Sequence, residues 1–435
     1  MIPKKIELSG GGYLLALRTD KFKTETLTVS LPYPMDQRRT RLCRLLFGVL
    51  KRGCEEYPDI SSLSRRLDDL YDANIDMVTV PTGENVAAGF VVECLDGRYV
   101  GDGTDILAET MDTLRKMVYS PLLTKDGLFD ERVLQIEKRN LCDLIRDSDN
   151  DPRIHSYQLC RSMMFEGEPY GLRSMGSIED IMAAENREVS KFREEFLSMS
   201  APICIYVGSR EESEAAKLVS SYFGEFGGKK MTLGDTILKP AVSKMRYVEE
   251  EMSVVQGKLT MGFRAEMGIH SEDVFAAMLF NDIFGGSPVS KLFRNVRERM
   301  SLCYSCSTSF DSSKGALFMR AGIANENKDR VIDEVLHQFG EIKKGNISDY
   351  EIECSKKSII NYYRQAEDSP FAIESYYRTR LMCGVERTPE ESIDMINKVT
   401  KEDIVRAADK FAPDSVAFIK GTAESKYFEE GDDEE

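Results

Sequence analysis

The sequence predicts an α+β protein of two duplicated domains, each a curved mixed or antiparallel sheet covered by helices. Three observations carry that prediction. The chain has 435 residues, long enough for two domains. Alternating strand pairs give way repeatedly to long amphipathic runs. The same order of elements is also read twice, most closely at the tails of the halves. DLIRDSDNDPRIHSYQLCRSMMFEG (143–167) parallels NYYRQAEDSPFAIESYYRTRLMCG (361–384), with Pro152 and Pro370 at 218 positions' separation. A period this long marks a duplicated domain of roughly 200 residues, not a solenoid repeat.

In the first half, a strand-rich start leads to RLCRLLFGVLKRG (41–53). Leu42, Cys43, Leu45, Leu46, Phe47, Val49 and Leu50 give it a wide apolar face, so a buried helix is expected, too short to cross a bilayer. A second helix follows at 61–73. The alternating stretch 75–94 predicts a strand pair with its hairpin at Pro81-Thr82-Gly83. Helices over 105–121 and the longer LFDERVLQIEKRNLCDLIRDSDNDP complete the set, the latter with Phe129, Val133, Ile136, Leu141, Leu144 and Ile145 at helical spacing. The second half repeats this as a helix over 287–300, a strand pair over 302–324 and helices over 329–345 and 348–370. Charge, Gly and Pro accumulate between the halves. The boundaries are set at 1–228 and 245–424, with a linker at 229–244 and an acidic, disordered tail at 425–435.

Composition excludes several classes of function. The net charge of -16, without a Lys/Arg run, disfavours nucleic acid and anionic membrane surfaces as partners. No tract approaches a membrane span, and the N-terminus lacks the long apolar core of a signal peptide. The ten cysteines sit in apolar contexts, as reduced thiols do in a cytoplasmic protein. Cys303 and Cys306 form a C-x-x-C within a strand-like run, which favours buried strand cysteines over a redox motif.

Three segments together resemble the insulinase/pitrilysin metallopeptidase family, which includes the mitochondrial processing peptidase and the cytochrome bc1 core proteins. They are FGGSPVSKLFRNVRERMSLCYSCSTSF (284–310), FEGEPYGLRSMGSIEDIMA (165–183) and the long-helix segment quoted above. The likeness spans nearly the whole chain. It is greatest to the non-catalytic member of a bacterial pair associated with elongation factor P modification. The resemblance implies the processing-peptidase-like metallohydrolase fold in both domains. Active members hold zinc through H-x-x-E-H and a distal Glu, and the metal makes hydroxide available at neutral pH.

Set against that motif, this sequence has Arg44 and Gly48 at the histidines, Phe47 at the general base and Leu144 at the distal ligand. None can serve, and His155, His270 and His337 fall in no ligand spacing. Phe47 and Leu144 suggest a former site filled with hydrocarbon. Glu137, by the same alignment, is a retained supporting group with nothing to support. No cofactor is therefore expected in this chain, zinc being expected only in a partner.

The family's C-terminal domain supplies an Arg and a Tyr seven positions apart, and Arg297 and Tyr304 match them. A guanidinium and a phenol can donate to a peptide carbonyl and to the oxyanion developing from it. Gly285 and Gly286 allow close backbone approach; they are a second candidate for substrate binding, against the plainer reading that they lead into a helix with Pro288 in its first turn. The resemblance thus implies a non-catalytic homologue that binds peptide substrate and pairs with a zinc-bearing relative. The alternative is a scaffold or peptide-binding homodimer with no part in proteolysis.

Overall fold

The computed structural model describes residues 2–8, 11–223 and 233–423. The acidic tail and residues 229–232 of the expected linker lie outside the described residues. The chain forms two compact units, each an α+β assembly around one sheet.

The first unit comprises Met1–Ile145, Leu172–Asp235 and Tyr363–Pro389. Its strands are β1 (Lys4–Glu7), β2 (Tyr13–Arg18), β3 (Thr24–Pro34), β4 (Asn74–Thr82), β5 (Asn85–Leu95) and β6 (Ile203–Gly208). They form a mixed sheet in the order β1-β2-β6-β3-β5-β4, parallel only where β2 meets β6. The expected strand pair is β4–β5. Its turn falls at Gly83-Glu84, slightly beyond the expected position, where the positive φ of Gly83 (55°) suits a tight hairpin.

The apolar helix runs Gln37–Leu50, starting earlier than its hydrophobic residues suggest because Asp36 caps it through the Arg39 amide at 2.7 Å. All seven of the apolar residues singled out above are buried in the core of this unit.

The second unit comprises Arg146–Gly171, Thr236–Tyr362 and Glu390–Glu435. Its strands are β7 (Arg246–Met252), β8 (Gly257–Ala265), β9 (Cys303–Asp311), β10 (Ala316–Ile323) and β11 (Phe411–Gly421), in the order β7-β11-β8-β10-β9. One face of β8 sends Leu259, Met261 and Phe263 into an aromatic core in which Phe280 stacks on Phe284 at 5.6 Å. Helix Pro152–Met164 packs on the same strand. Gly262 permits that close approach, since a Cβ there would meet Met164 Sδ at 2.6 Å and Cys160 Sγ at 3.2 Å.

The compact units therefore differ from contiguous halves in one respect. The two segments that the repeat equates are exchanged. Helices Pro152–Met164 and Pro370–Met382 each have 13 residues, a capping side chain just before the helix and Pro in the first turn. The first belongs to the unit built on β7–β11, whereas the second packs on β3 and β6. Sequence identity between repeats reports shared local structure, not the sheet on which a helix lands.

Candidate functional site

The positions matching the zinc motif lie on helix Gln37–Leu50 in the first unit, and their chemistry does not fit a metal. Arg44 donates its Nε hydrogen to the Ser174 carbonyl at 2.8 Å, and burial pushes its guanidinium pKa down. A guanidinium has no lone pair to offer a cation. Phe47 is 4% exposed and packs edge-on against Phe196 (5.3 Å) and tilted against Phe90 (5.8 Å). Gly48 offers no side chain. Any side chain there would first displace a carboxylate, because an added Cβ would lie 2.7 Å from Glu137 Oε2.

Two expectations are corrected here. Leu144 does not fill the former site; it is 57% exposed, and Ile136 of the same expected apolar stripe is 40% exposed. The long helix, Glu131–Asn150, buries Leu141 and Ile145 of that stripe together with Leu134, Lys138 and Cys142. Beside Gly48 the replacement is an ion pair, not hydrocarbon. Glu137 accepts from Arg52 Nε at 2.5 Å and from Asn140 Nδ2 at 3.3 Å. The carboxylate read as having nothing to support holds Arg52 instead. Arg52 stands four residues after Gly48, in the turn just beyond the end of the helix.

Among the described residues no group of three or more His, Cys, Asp and Glu could hold a metal ion. His155 bonds Glu250 through Nε2 at 2.8 Å, and His337 is exposed.

The second candidate lies in the other unit. The expected helix over 287–300 is shorter and wider than its sequence suggests. Residues 291–299 are helical, with π-type turns over Phe293–Arg299 and a bond from the Met300 amide to the Asn295 carbonyl at 3.0 Å. Ser301 then adopts a left-handed conformation (φ 51°), and β9 begins two residues later. This turn sets the seven-residue interval between Arg297 and Tyr304.

Both side chains are exposed, Tyr304 by 67%. Arg297 lies over the Phe293 ring at 4.5 Å, and its charge acts on Cys303, the neighbour of Tyr304. The helix end and the strand start thus each carry an exposed donor.

The glycines do something else. Helix Val274–Asn281 continues in a wide turn through Asp282–Gly286, so Gly285 and Gly286 close one helix and do not open the next. Gly285 is buried, and a Cβ there would meet Thr308 Cγ2 of β9 at 2.6 Å. Its small size serves packing between helix and strand, which leaves no face for a ligand. Gly286 is exposed.

The segment 165–171, FEGEPYG, anchors the exchanged helix. Glu168 is 4% exposed and accepts from Lys314 Nζ at 2.7 Å and Arg264 Nη1 at 2.9 Å. Burial works against its charge, but those two bonds outweigh it and hold the carboxyl below its ordinary range. Tyr170 donates to Asp311 Oδ2 at 2.7 Å, and Arg264 lies over the Phe165 ring at 4.3 Å. The resemblance marked this motif without showing its purpose, which is structural.

Comparison with known proteins agrees with this geometry. A family model described as the Peptidase M16 inactive domain matches residues 185–359. The chain is 29% identical over 415 residues to the probable inactive metalloprotease YmfF of Bacillus subtilis, covering 95% of this chain and 96% of that one. A conserved protein of Enterococcus faecalis superposes with a TM-score of 0.88 at 25% identity, covering 98% and 100% of the two chains. A solved structure from Pseudomonas fluorescens, described as a peptidase M16 inactive domain, has a TM-score of 0.78 at 14% identity and covers 98% and 99%, a likeness of fold.

Proposed function

We propose that this chain is a cytoplasmic, non-catalytic subunit of a heteromeric peptidase, because residues 185–359 match the Peptidase M16 inactive domain and the chain lacks every zinc-ligand residue of the insulinase motif. A homologous partner of similar size carries the zinc and the general base. This chain contributes Arg297 and Tyr304 to peptide binding and needs no cofactor of its own. One observation supports the reading above others. Arg44, Phe47 and Gly48 are committed to a backbone hydrogen bond and to packing, while Arg297 and Tyr304 are both exposed.

The chemistry follows from the donors. A peptide carbonyl gains charge as it goes to a tetrahedral intermediate, and a guanidinium and a phenol placed near it bind the charged form more tightly. Losing one such donor costs about 10²–10³ in turnover where it touches the developing oxyanion.

The test is co-expression with a zinc-bearing H-x-x-E-H homologue from the same genome and assay of peptide cleavage. Arg297→Ala and Tyr304→Phe are expected to lower turnover while the complex still assembles, since both side chains are exposed. Unchanged turnover in both variants would remove the shared-site reading and leave a scaffold. Stoichiometric zinc in the isolated chain, with hydrolysis, would overturn the non-catalytic assignment.

A further inference from the structure

On a regular strand, residues three apart point to opposite faces, so Cys303 and Cys306 ought not to meet. The register of β9 on β10 changes this. Cys306, Ser305 and Cys303 pair with Ala321, Gly322 and Ile323, and Tyr304 is the extra residue of a β-bulge. Both cysteines consequently turn inward, 7% and 6% exposed, while Tyr304 and Ser305 face out.

The bulge also shortens the path. The two Cα atoms are separated by about the length of two strand residues, ~6–7 Å, instead of three. That lies at the upper end of the separation a disulfide spans. The two thiols interact by a side-chain hydrogen bond. This bond and the charge of Arg297 bring the Cys303 thiol below its ordinary value, while the same bond and burial raise Cys306 well above it. Cys303 is thus the first of the pair to ionise.

We propose that Cys303 and Cys306 are an oxidation site, closing reversibly to a disulfide by exchange with a low-molecular-weight disulfide such as glutathione disulfide. Cys303 loses its proton to solvent and attacks one sulfur of the reagent. The reagent's S–S bond breaks, and one glutathione leaves as thiolate. Cys306 then gives up its proton and attacks the Cys303 sulfur, expelling the second glutathione. The cysteines lose two electrons, the reagent gains them, and the two departing thiolates take up the two protons. The resulting ring encloses Tyr304 and Ser305, so oxidation fixes the bulge that presents the exposed tyrosine. The site lies at the start of an edge strand, where local opening admits the reagent.

The experiment uses the full-length chain incubated with glutathione disulfide, then denatured in iodoacetamide, digested and weighed. The peptide bearing both cysteines is expected to be uncapped and two hydrogens lighter, and to recover with dithiothreitol. Cys43, Cys54, Cys94, Cys142, Cys160 and Cys204, all buried elsewhere, should be fully capped and so report an intact fold. In Cys306→Ser a glutathione adduct should persist on Cys303, and in Cys303→Ser Cys306 should stay unmodified. Two capped cysteines in the wild-type peptide, or an adduct on Cys306 in Cys303→Ser, would overturn the proposal.

Discussion

Phe47 shows why a single residue can close off a chemistry. A carboxylate at this position acts as base only in a polar, hydrated cleft beside a metal. Here the ring is locked between Phe90 and Phe196, which also contact one another edge-on at 6.2 Å. Phe47→Glu would place an unpaired charge in that cluster and lose its apolar contacts. We expect a loss of at least about 3 kcal/mol in unfolding free energy, read by denaturant titration, and no gain of zinc affinity. A variant as stable as the parent would show that the cluster is not rigid. At this scale the sequence was partly legible. The absence of His and Glu from 38–54 excluded the H-x-x-E-H ligand set on this helix. The exposure of Leu144 was hidden, because helical spacing shows which residues share a stripe but not how wide the buried part of that stripe is. The Arg52–Glu137 pair was hidden too, since it joins residues 85 positions apart.

Elements add a lesson about exchanged parts. β3 and β8 are buried on both faces, which is why their sequences run with little exposed surface over 11 and nine residues. The second face is covered in each case by a helix from the other half of the sequence, and buried charge lies in one helix and just after the other. Glu374 meets Arg378 twice at 2.9 Å in one; Glu168, just after the other, meets Arg264 and Lys314. Buried pairs contribute little when complete but cost about 3–5 kcal/mol when one partner is removed. Glu168→Ala is therefore expected to destabilise by that order, because it removes the carboxylate that the buried Lys314 and Arg264 share. The readout is the urea midpoint of the full-length protein. A shift under about 1 kcal/mol would mean that water reaches the cluster, since exposed pairs contribute only that much. Periodicity predicted both helices, and the 218-residue spacing equated them. Neither predicted the exchange, because a repeat encodes the same surface twice and so leaves two sheets as equivalent hosts.

Across the molecule, the duplicated order and the fold class were readable because they rest on long patterns that survive local error; the bulge at Tyr304 and the helix closing through Gly285 were not, because each turns on one residue's backbone. The same distribution of buried carboxylates governs how stability responds to pH. Hydrogen bonds hold Glu168, and Asp273 through Arg406 and Lys410, below the ordinary carboxylate range. Each contributes stability that is present above the unfolded pKa and lost as pH falls through the folded one. Asp282 is the opposite case. Burial raises it, Ser358 donates to Oδ1 at 3.1 Å, and Oδ2 has no hydrogen-bond partner among the described residues. Its contribution is complete below the unfolded pKa and declines as pH rises through its raised folded value. Thermal midpoints between about pH 2 and about pH 8, spanning the carboxylate range and the region below it, separate the two. Asp282→Asn should exceed the parent at the upper end and converge with it in acid. Glu168→Gln should fall below the parent at the upper end and also converge in acid, because protonation has by then removed the parent's advantage. Differences that stay constant with pH would mean that neither carboxylate changes its ionisation on folding, and that their burial acts through packing alone.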